Sequence, residues 1–299
     1  MVIVCGVFAA LTTPYARDGS VSLPDLKNNV QRYNQTDLAG YVALGSTGES
    51  VLLSRAEMDG ILITVREAAV KGKTLLAGAG AESTAETIER TKRAAELGYD
   101  AALVKTPCYY KPAYKPEVLI AHYRRVADES PIPVLLYSIP QFTGVALAAA
   151  EVAALAEHRN IMGIKDSSGN VQGVGEIIAA TPPAFQVLVG SAATMYPSLA
   201  IGARGAILAL ACALPEKCVA LFELLRQGHH EKARELQSVL ARASKLIVSE
   251  MGIAGVKHVM DQRGYRGGLP RLPLLPLQQE QKKRLNDFLA TMEPAAVRA

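Results

Sequence analysis

Residues 134–165 read VLLYSIPQFTGVALAAAEVAALAEHRNIMGIK. Two short apolar runs, Val134–Tyr137 and Met162–Lys165, flank a stretch long enough for a helix, which is the wording of a strand–helix–strand unit. Similar β-branched or apolar runs occur at Gly6–Ala10, Tyr41–Leu44, Thr74–Ala77, Ala101–Val104, Gln186–Val189 and Ala206–Leu210. They recur at intervals of about 20 to 37 residues, the length of a βα unit. Eight such units predict a closed parallel barrel, a (β/α)8 TIM barrel of the α/β class, rather than an open sheet.

Helix start and stop signals support the division. Ser54-Arg-Ala-Glu57 and Ser83-Thr-Ala-Glu86 read as capping boxes ahead of helical patterns over Met58–Val70 and Thr87–Leu97. Gly98 supplies a C-terminal stop. The segments Gly45–Ser50, Gly78–Ser83 and Thr106–Lys111 therefore fall on loops that follow strands, the catalytic face of such a barrel. From about Gln227 the strand signals cease. Helical patterns continue over Glu231–Glu250, Ile253–Arg263 and Gln278–Met292, with Pro270, Pro273 and Pro276 marking an extended connector. The expected organisation is a catalytic barrel over residues 1–227 and a C-terminal helical domain over 228–299.

Composition excludes several classes of function. The chain has 299 residues, 49% of them hydrophobic and 20% charged, enough apolar material for a large core. The longest wholly apolar run, Ala206–Leu214, is far short of the roughly 20 residues that span a bilayer. No signal-peptide pattern opens the chain, so the expected location is cytoplasmic. A net charge of +4 is spread along the sequence. Its densest basic patch, Lys282-Lys-Arg284, is interleaved with Glu280 and Asp287, as on a solvated helix face, so no nucleic-acid partner is expected. Cys5, Cys108, Cys212 and Cys218 have no paired spacing, and the histidines form no HExxH motif, so neither a disulfide scaffold nor a metal site is expected. Cys5 and Cys212 read as small core residues.

Four segments carry groups that could do chemistry. In Ile161-Met-Gly-Ile-Lys-Asp-Ser-Ser-Gly169, Lys165 ends an apolar strand. Burying an ammonium is costly. At a barrel mouth the confinement can instead hold the amine in the neutral form that attacks a carbonyl; the alternative is a lysine snorkelling from the strand end. Tyr137 ends the preceding strand and could place a phenol for proton transfer beside that amine, or simply pack there. Gly45-Ser-Thr-Gly-Glu49 is too short for a dinucleotide or P-loop motif. Its glycines and hydroxyls suit exposed amides that hold a small carboxylate, with Glu49 ordering the loop. Thr106-Pro-Cys-Tyr-Tyr-Lys-Pro112 is a stiff projecting loop, either an aromatic interface anchor or a source of a relay hydroxyl.

Taken together, GSTGE, the Tyr137–Pro140 turn and GIKDSSG, in that order, resemble the dihydrodipicolinate synthase/N-acetylneuraminate lyase superfamily of pyruvate-type class I aldolases and lyases. The resemblance runs from about Gly6 to Leu285. It implies a barrel with a C-terminal helical extension, a homotetramer built from tight dimers, and no metal or organic cofactor. It implies Lys165 as the Schiff-base lysine and Tyr137 as the adjacent acid/base. Ser46 and Tyr109 would complete a hydroxyl relay, Tyr109 reaching across the tight-dimer interface, with Tyr110 as the alternative register. Thr47 and the amides around Gly48 would hold the carboxylate of a 2-oxo acid, and Gly190 and Ile207 would line the pyruvate pocket.

Branch assignment follows the departures. The synthase branch carries an arginine after the tyrosine, where this chain has Phe142, which cannot pair with a second carboxylate. The sialic-acid branch carries acidic residues where this chain has Gly190-Ser-Ala-Ala193. GAESTAETIE, TPCYY and FQVLVGSA resemble 4-hydroxy-2-oxoglutarate aldolase, implying cleavage to pyruvate and glyoxylate with Ser46 and Ser167 contacting the distal hydroxyl or carboxylate. Phe142 departs from that branch too, where asparagine is expected. The alternatives are 4-hydroxy-tetrahydrodipicolinate synthase, condensing pyruvate with aspartate semialdehyde, a non-catalytic 2-oxo acid sensor, and a phosphate-binding barrel isomerase.

Overall fold

The computed structural model of the chain describes residues 2–292. Eight strands, β1 (Gly6–Ala10), β2 (Gly40–Ala43), β3 (Thr74–Gly78), β4 (Ala101–Lys105), β5 (Val134–Ser138), β6 (Ile161–Asp166), β7 (Gln186–Val189) and β8 (Gly205–Leu208), close into a barrel in sequence order. Every neighbouring pair is parallel, and β8 returns to β1 with Phe8 opposite Ile207. The helices are α1 (Leu23–Tyr33), α2 (Arg55–Ala68), α3 (Thr84–Glu96), α4 (Pro116–Glu129), the single turn α5 (Pro140–Thr143), α6 (Ala149–Ala156), α7 (Val171–Ala180), α8 (Met195–Ala200) and α9 (Pro215–Arg226). They are followed by α10 (His230–Ala243), a π-helical stretch over Ser244–Glu250, α11 (Gly252–Gln262) and α12 (Gln279–Met292).

Apolar alternation along each strand separates the core into two layers. Phe8, Val42, Leu76, Leu103, Leu135, Leu188 and Ile207 point inward and fill the barrel, all at most 1% exposed. The flanking positions pack outward against the helices, with Val104, Leu136 and Ile164 fully buried there. Tyr137 joins the inner cluster, and in the β5–β6 register it sits beside Lys165. The barrel is thus plugged with hydrocarbon up to the level at which these two polar residues begin.

Local deviations from expectation have identifiable causes. β2 stops at Ala43 because Leu44 turns into the left-handed region, at φ 59°. The apolar run after Leu208 becomes a buried 3-10 turn over Leu210–Cys212 instead of more strand, a distinction that hydrophobicity alone does not carry. Ser54 and Glu57 form the expected capping box. At α3 only half of it forms: Ser83 Oγ accepts the Glu86 N–H, while the Glu86 carboxylate is drawn to Arg55 at 3.1 Å and Arg90 at 2.9 Å. Cys212 is buried as expected, but Cys5, just ahead of β1, is exposed; its apolar neighbours belong to the strand that starts one residue later. Lys283 and Arg284 pair with Asp287 and Glu250, both at 2.8 Å, consistent with a solvated face.

Candidate active site

The loops at the C-terminal ends of the strands, together with the C-terminal helices, enclose a cavity of about 300 Å³. Ser46, Thr47, Tyr137, Lys165, Ser167, Gly190 and Ile207 all line it. Strands β5 and β6 place Tyr137 and Lys165 side by side, each 4% exposed, with Lys165 Nζ 4.0 Å from the centre of the Tyr137 ring. Ser46 Oγ lies 3.5 Å from the Tyr137 hydroxyl, at the long end of hydrogen bonding.

Ser46–Gly48 form a 3-10 turn directly after β2. Gly48 donates its N–H to Gly45 O at 3.0 Å and Glu49 donates to Ser46 O at 3.1 Å, so the turn is closed on itself. Gly48 does not line the cavity. It packs instead against the segment just after β1, where an added β-carbon would stand 3.0 Å from Leu11 O, and Thr13 Oγ1 donates to its carbonyl at 2.6 Å. The amides of Ser46 and Thr47 lie ahead of the turn's own hydrogen bonds.

The loop after β6 is held equally closely. Asp166 accepts the Ser168 N–H at 3.0 Å and its hydroxyl at 2.5 Å, and Gln141 donates to Ser167 O. Burial pushes the Asp166 carboxyl upward against those two bonds. A β-carbon at Gly190 would overlap Ser167 Oγ and stand 3.1 Å from Lys165 Cε. Glycine there is a steric requirement of the Ser167 side chain, with Lys165 in close contact beside it.

Tyr109 is not brought to Lys165. It is 77% exposed and edge-on to Tyr110, with ring centres 5.0 Å apart, on the rim of an outer cavity of about 720 Å³. Glu82 fixes this loop by accepting the N–H groups of Cys108 and Tyr109, both at 2.9 Å. Burial alone would raise the Glu82 carboxyl; those donors, the Cys108 thiol and Lys105 outweigh it and hold it at about 2. Phe142, 68% exposed, stands where the two cavities adjoin.

Sequence reasoning missed the far wall. Ser244, Val248, Ser249, Gly252, Ile253 and Val256 line the cavity from the C-terminal helices. Their apolar members have ordinary helical spacing and read as core. The available signal was Lys257, a cation inside the apolar pattern of α11. Its side chain is fully buried against Glu49, with Nζ 2.6 Å from a carboxylate oxygen. Burial lowers the Lys257 ammonium from its ordinary value, and Glu49 opposes that shift.

Among the described residues no helix is long and apolar enough to cross a membrane, and no cluster of three His, Cys, Asp or Glu could hold a metal ion. Residues 4–292 match the model of the Dihydrodipicolinate synthetase family. A 4-hydroxy-tetrahydrodipicolinate synthase from an Exiguobacterium species is 36% identical over 288 residues, covering 96% of this chain and 97% of the relative. The protein of the same name from Methanothrix thermoacetophila is 37% identical, covering 96% of each. The crystal structure of a dihydrodipicolinate synthase from Bacillus anthracis superposes with a TM-score of 0.94 at 28% identity, covering 98% of this chain and all of that one. That of the Acinetobacter baumannii synthase complexed with pyruvate gives 0.91 at 32% identity, covering 96% and 98%. With matches of this extent in sequence and fold, the chain belongs to the dihydrodipicolinate synthetase family and is a carbon–carbon lyase of the class I aldolase type.

Proposed function

We propose that Lys165 forms a Schiff base with pyruvate and that this chain makes or breaks a carbon–carbon bond at the pyruvate methyl carbon. The observation that carries the reading is the buried Lys165 amine over the Tyr137 ring, in the same cavity as the Ser46–Thr47 turn. The nitrogen lone pair adds to C2 of pyruvate, and the carbinolamine loses water to give an iminium. Tyr137 donates the proton that the departing hydroxyl takes up, and Ser46 passes protons to and from it. The iminium draws electrons from the adjacent methyl group. Loss of a methyl proton to the Tyr137 phenoxide gives an enamine, whose carbon attacks an aldehyde; Tyr137 returns that proton to the new alkoxide, and hydrolysis then frees Lys165. The iminium is the electron sink, so the reaction requires no metal or organic cofactor.

Thr47, with the amides of Ser46 and Thr47, holds the 2-oxo acid carboxylate. Gly48 contributes the shape of the turn, its own amide being engaged with Gly45. Gly190 and Ile207 bound the pyruvate half, and Ser167 reaches the acceptor half. Tyr109 serves the relay of a neighbouring copy in a homotetramer of tight dimers, which its exposure in the single chain supports.

The relatives' shared name supports aspartate semialdehyde as the acceptor, giving 4-hydroxy-tetrahydrodipicolinate synthase activity. Cleavage of 4-hydroxy-2-oxoglutarate is the second reading. It is supported by the wording of Gly80–Glu89, Thr106–Tyr110 and Phe185–Ala192; Phe142, which offers no cation at the mouth of the cavity, departs from both branches. Borohydride reduction of the protein with pyruvate should add the mass of one reduced pyruvate to the wild type and none to Lys165→Ala. A folded wild type that acquires no adduct would overturn the Schiff-base reading. Steady-state assays with aspartate semialdehyde and with 4-hydroxy-2-oxoglutarate then choose the acceptor.

A further inference from the structure

The Ser46–Gly48 turn is tied to a distant part of the chain through charge. Glu49 directly follows the turn and takes a left-handed conformation, φ 56° and ψ 32°, that sends the chain out of it. One carboxylate oxygen of Glu49 pairs with Lys257 Nζ, and the other accepts the Arg271 N–H at 2.8 Å. Lys257 in turn donates to Leu269 O at 2.9 Å, and its ammonium lies 4.5 Å from the centre of the Tyr15 ring. The Arg271 guanidinium lies 4.4 Å from the same ring, so two cations share one aromatic ring. Lys257 stands next to Val256 and one helical turn beyond Ile253, and both of those wall the catalytic cavity.

We propose that Glu49 and Lys257 are positioning residues for substrate carboxylate binding: the pair references the Ser46–Thr47 turn to α11, so that carboxylate-binding turn and cavity wall are set by one rigid element. This rests on the Schiff-base reading of Lys165. A buried ion pair contributes little net stability over apolar groups of the same volume, because desolvation offsets the attraction. What it does supply is direction. A carboxylate with Lys257 on one oxygen and the Arg271 amide on the other has a single orientation, and the three residues before it inherit that orientation. An apolar pair at 49 and 257 would fill the same space without fixing the turn's rotation about the strand end.

The test measures the pyruvate concentration that half-saturates borohydride trapping at Lys165, by intact mass, in wild type, Glu49→Gln, Lys257→Met and the double variant. Acetone, which lacks a carboxylate, is trapped in parallel. Each single variant is expected to need about tenfold more pyruvate, a loss in the range that sub-ångström to ångström misplacement produces, with acetone trapping unchanged. The double variant leaves no unpaired charge in the interior and keeps its fold, so it carries the test if a single variant does not fold; it too is expected to need more pyruvate. Folded variants with the wild-type half-saturation overturn the proposal. So does an equal loss of pyruvate and acetone trapping, which is the signature of general damage. Failure of the wild type itself to trap pyruvate is a different result and removes the Schiff-base reading instead.

Discussion

At position 190 there is no room for a methyl group. The β-carbon of an alanine would occupy the space of Ser167 Oγ, press on Ser167 Cβ and crowd Lys165 Cε, and Ser167 sits in a loop anchored by Asp166 and Gln141. Gly190→Ala is expected to cost about 1–3 kcal/mol of stability, the range for overpacking. It should also slow pyruvate trapping, because the strain falls on the lysine. Urea titration and trapping rates read the two effects separately, and a variant with normal trapping would mean that the loop yields easily. Tyr137→Phe is the complementary case. The ring that lies under Lys165 stays and only the hydroxyl goes, so the fold should be unaffected while kcat/KM falls about 10²–10⁴-fold, the usual worth of a positioned proton donor. Wild-type turnover in Tyr137→Phe would remove the phenol from the proton path.

Elements of this fold are joined by charges placed at their ends. Glu57, whose carboxylate completes the capping box of α2, is gripped by both terminal nitrogens of Arg271 at 3.0 and 2.6 Å, although the two lie far apart in sequence. Arg271 hydrogen bonding, against the upward push of burial, holds the Glu57 carboxyl at about 2, below its ordinary 4.5. A carboxyl depressed by folding stabilises the protein above its unfolded value. That contribution is lost as pH falls from about 4.5 towards 2. Arg271→Ala should therefore destabilise by about 1–3 kcal/mol at pH 7, as expected for charge-assisted hydrogen bonds. The gap from wild type should narrow through that acid window. Denaturation midpoints measured at several pH values check this, and a gap independent of pH would assign the loss to packing around Tyr15.

At the scale of the whole molecule, several large apolar side chains stand exposed in the loops and the C-terminal connector. Val51 and Tyr109 are 77% exposed, Phe142 68%, Leu272 72% and Leu275 71%. The first three border the outer cavity beside the proposed catalytic one. Exposed apolar side chains beside that cavity would be covered by a partner surface, and a second copy of the chain is the partner expected here. Sedimentation velocity should show a multiple of the 31.8 kDa chain mass. Tyr109→Glu with Tyr110→Glu should shift the protein towards the monomer and lower activity with dilution. A wild type that stays monomeric at micromolar concentration with full activity would place the whole relay within one chain.

The eight-strand count, the capping box of α2 and the Lys165–Tyr137 pairing were legible in the sequence, because each rests on local periodicity or on residues at adjacent strand ends. The wording of Gly45–Glu49 and Ile161–Gly169 likewise carried the resemblance to the family whose model the chain matches. What the chain order conceals is everything contributed across long separations. Ser244, Ser249 and Ile253 wall the cavity only because α11 and the π-helical stretch after α10 fold back over the barrel mouth. Gly48 spends its amide on the turn rather than on a ligand, and Glu49 finds Lys257 and Arg271 more than two hundred residues away. Those contacts depend on how helices pack, and packing is a property of the assembled surface; the amphipathic stripe of a helix reports that it is buried, not what it is buried against.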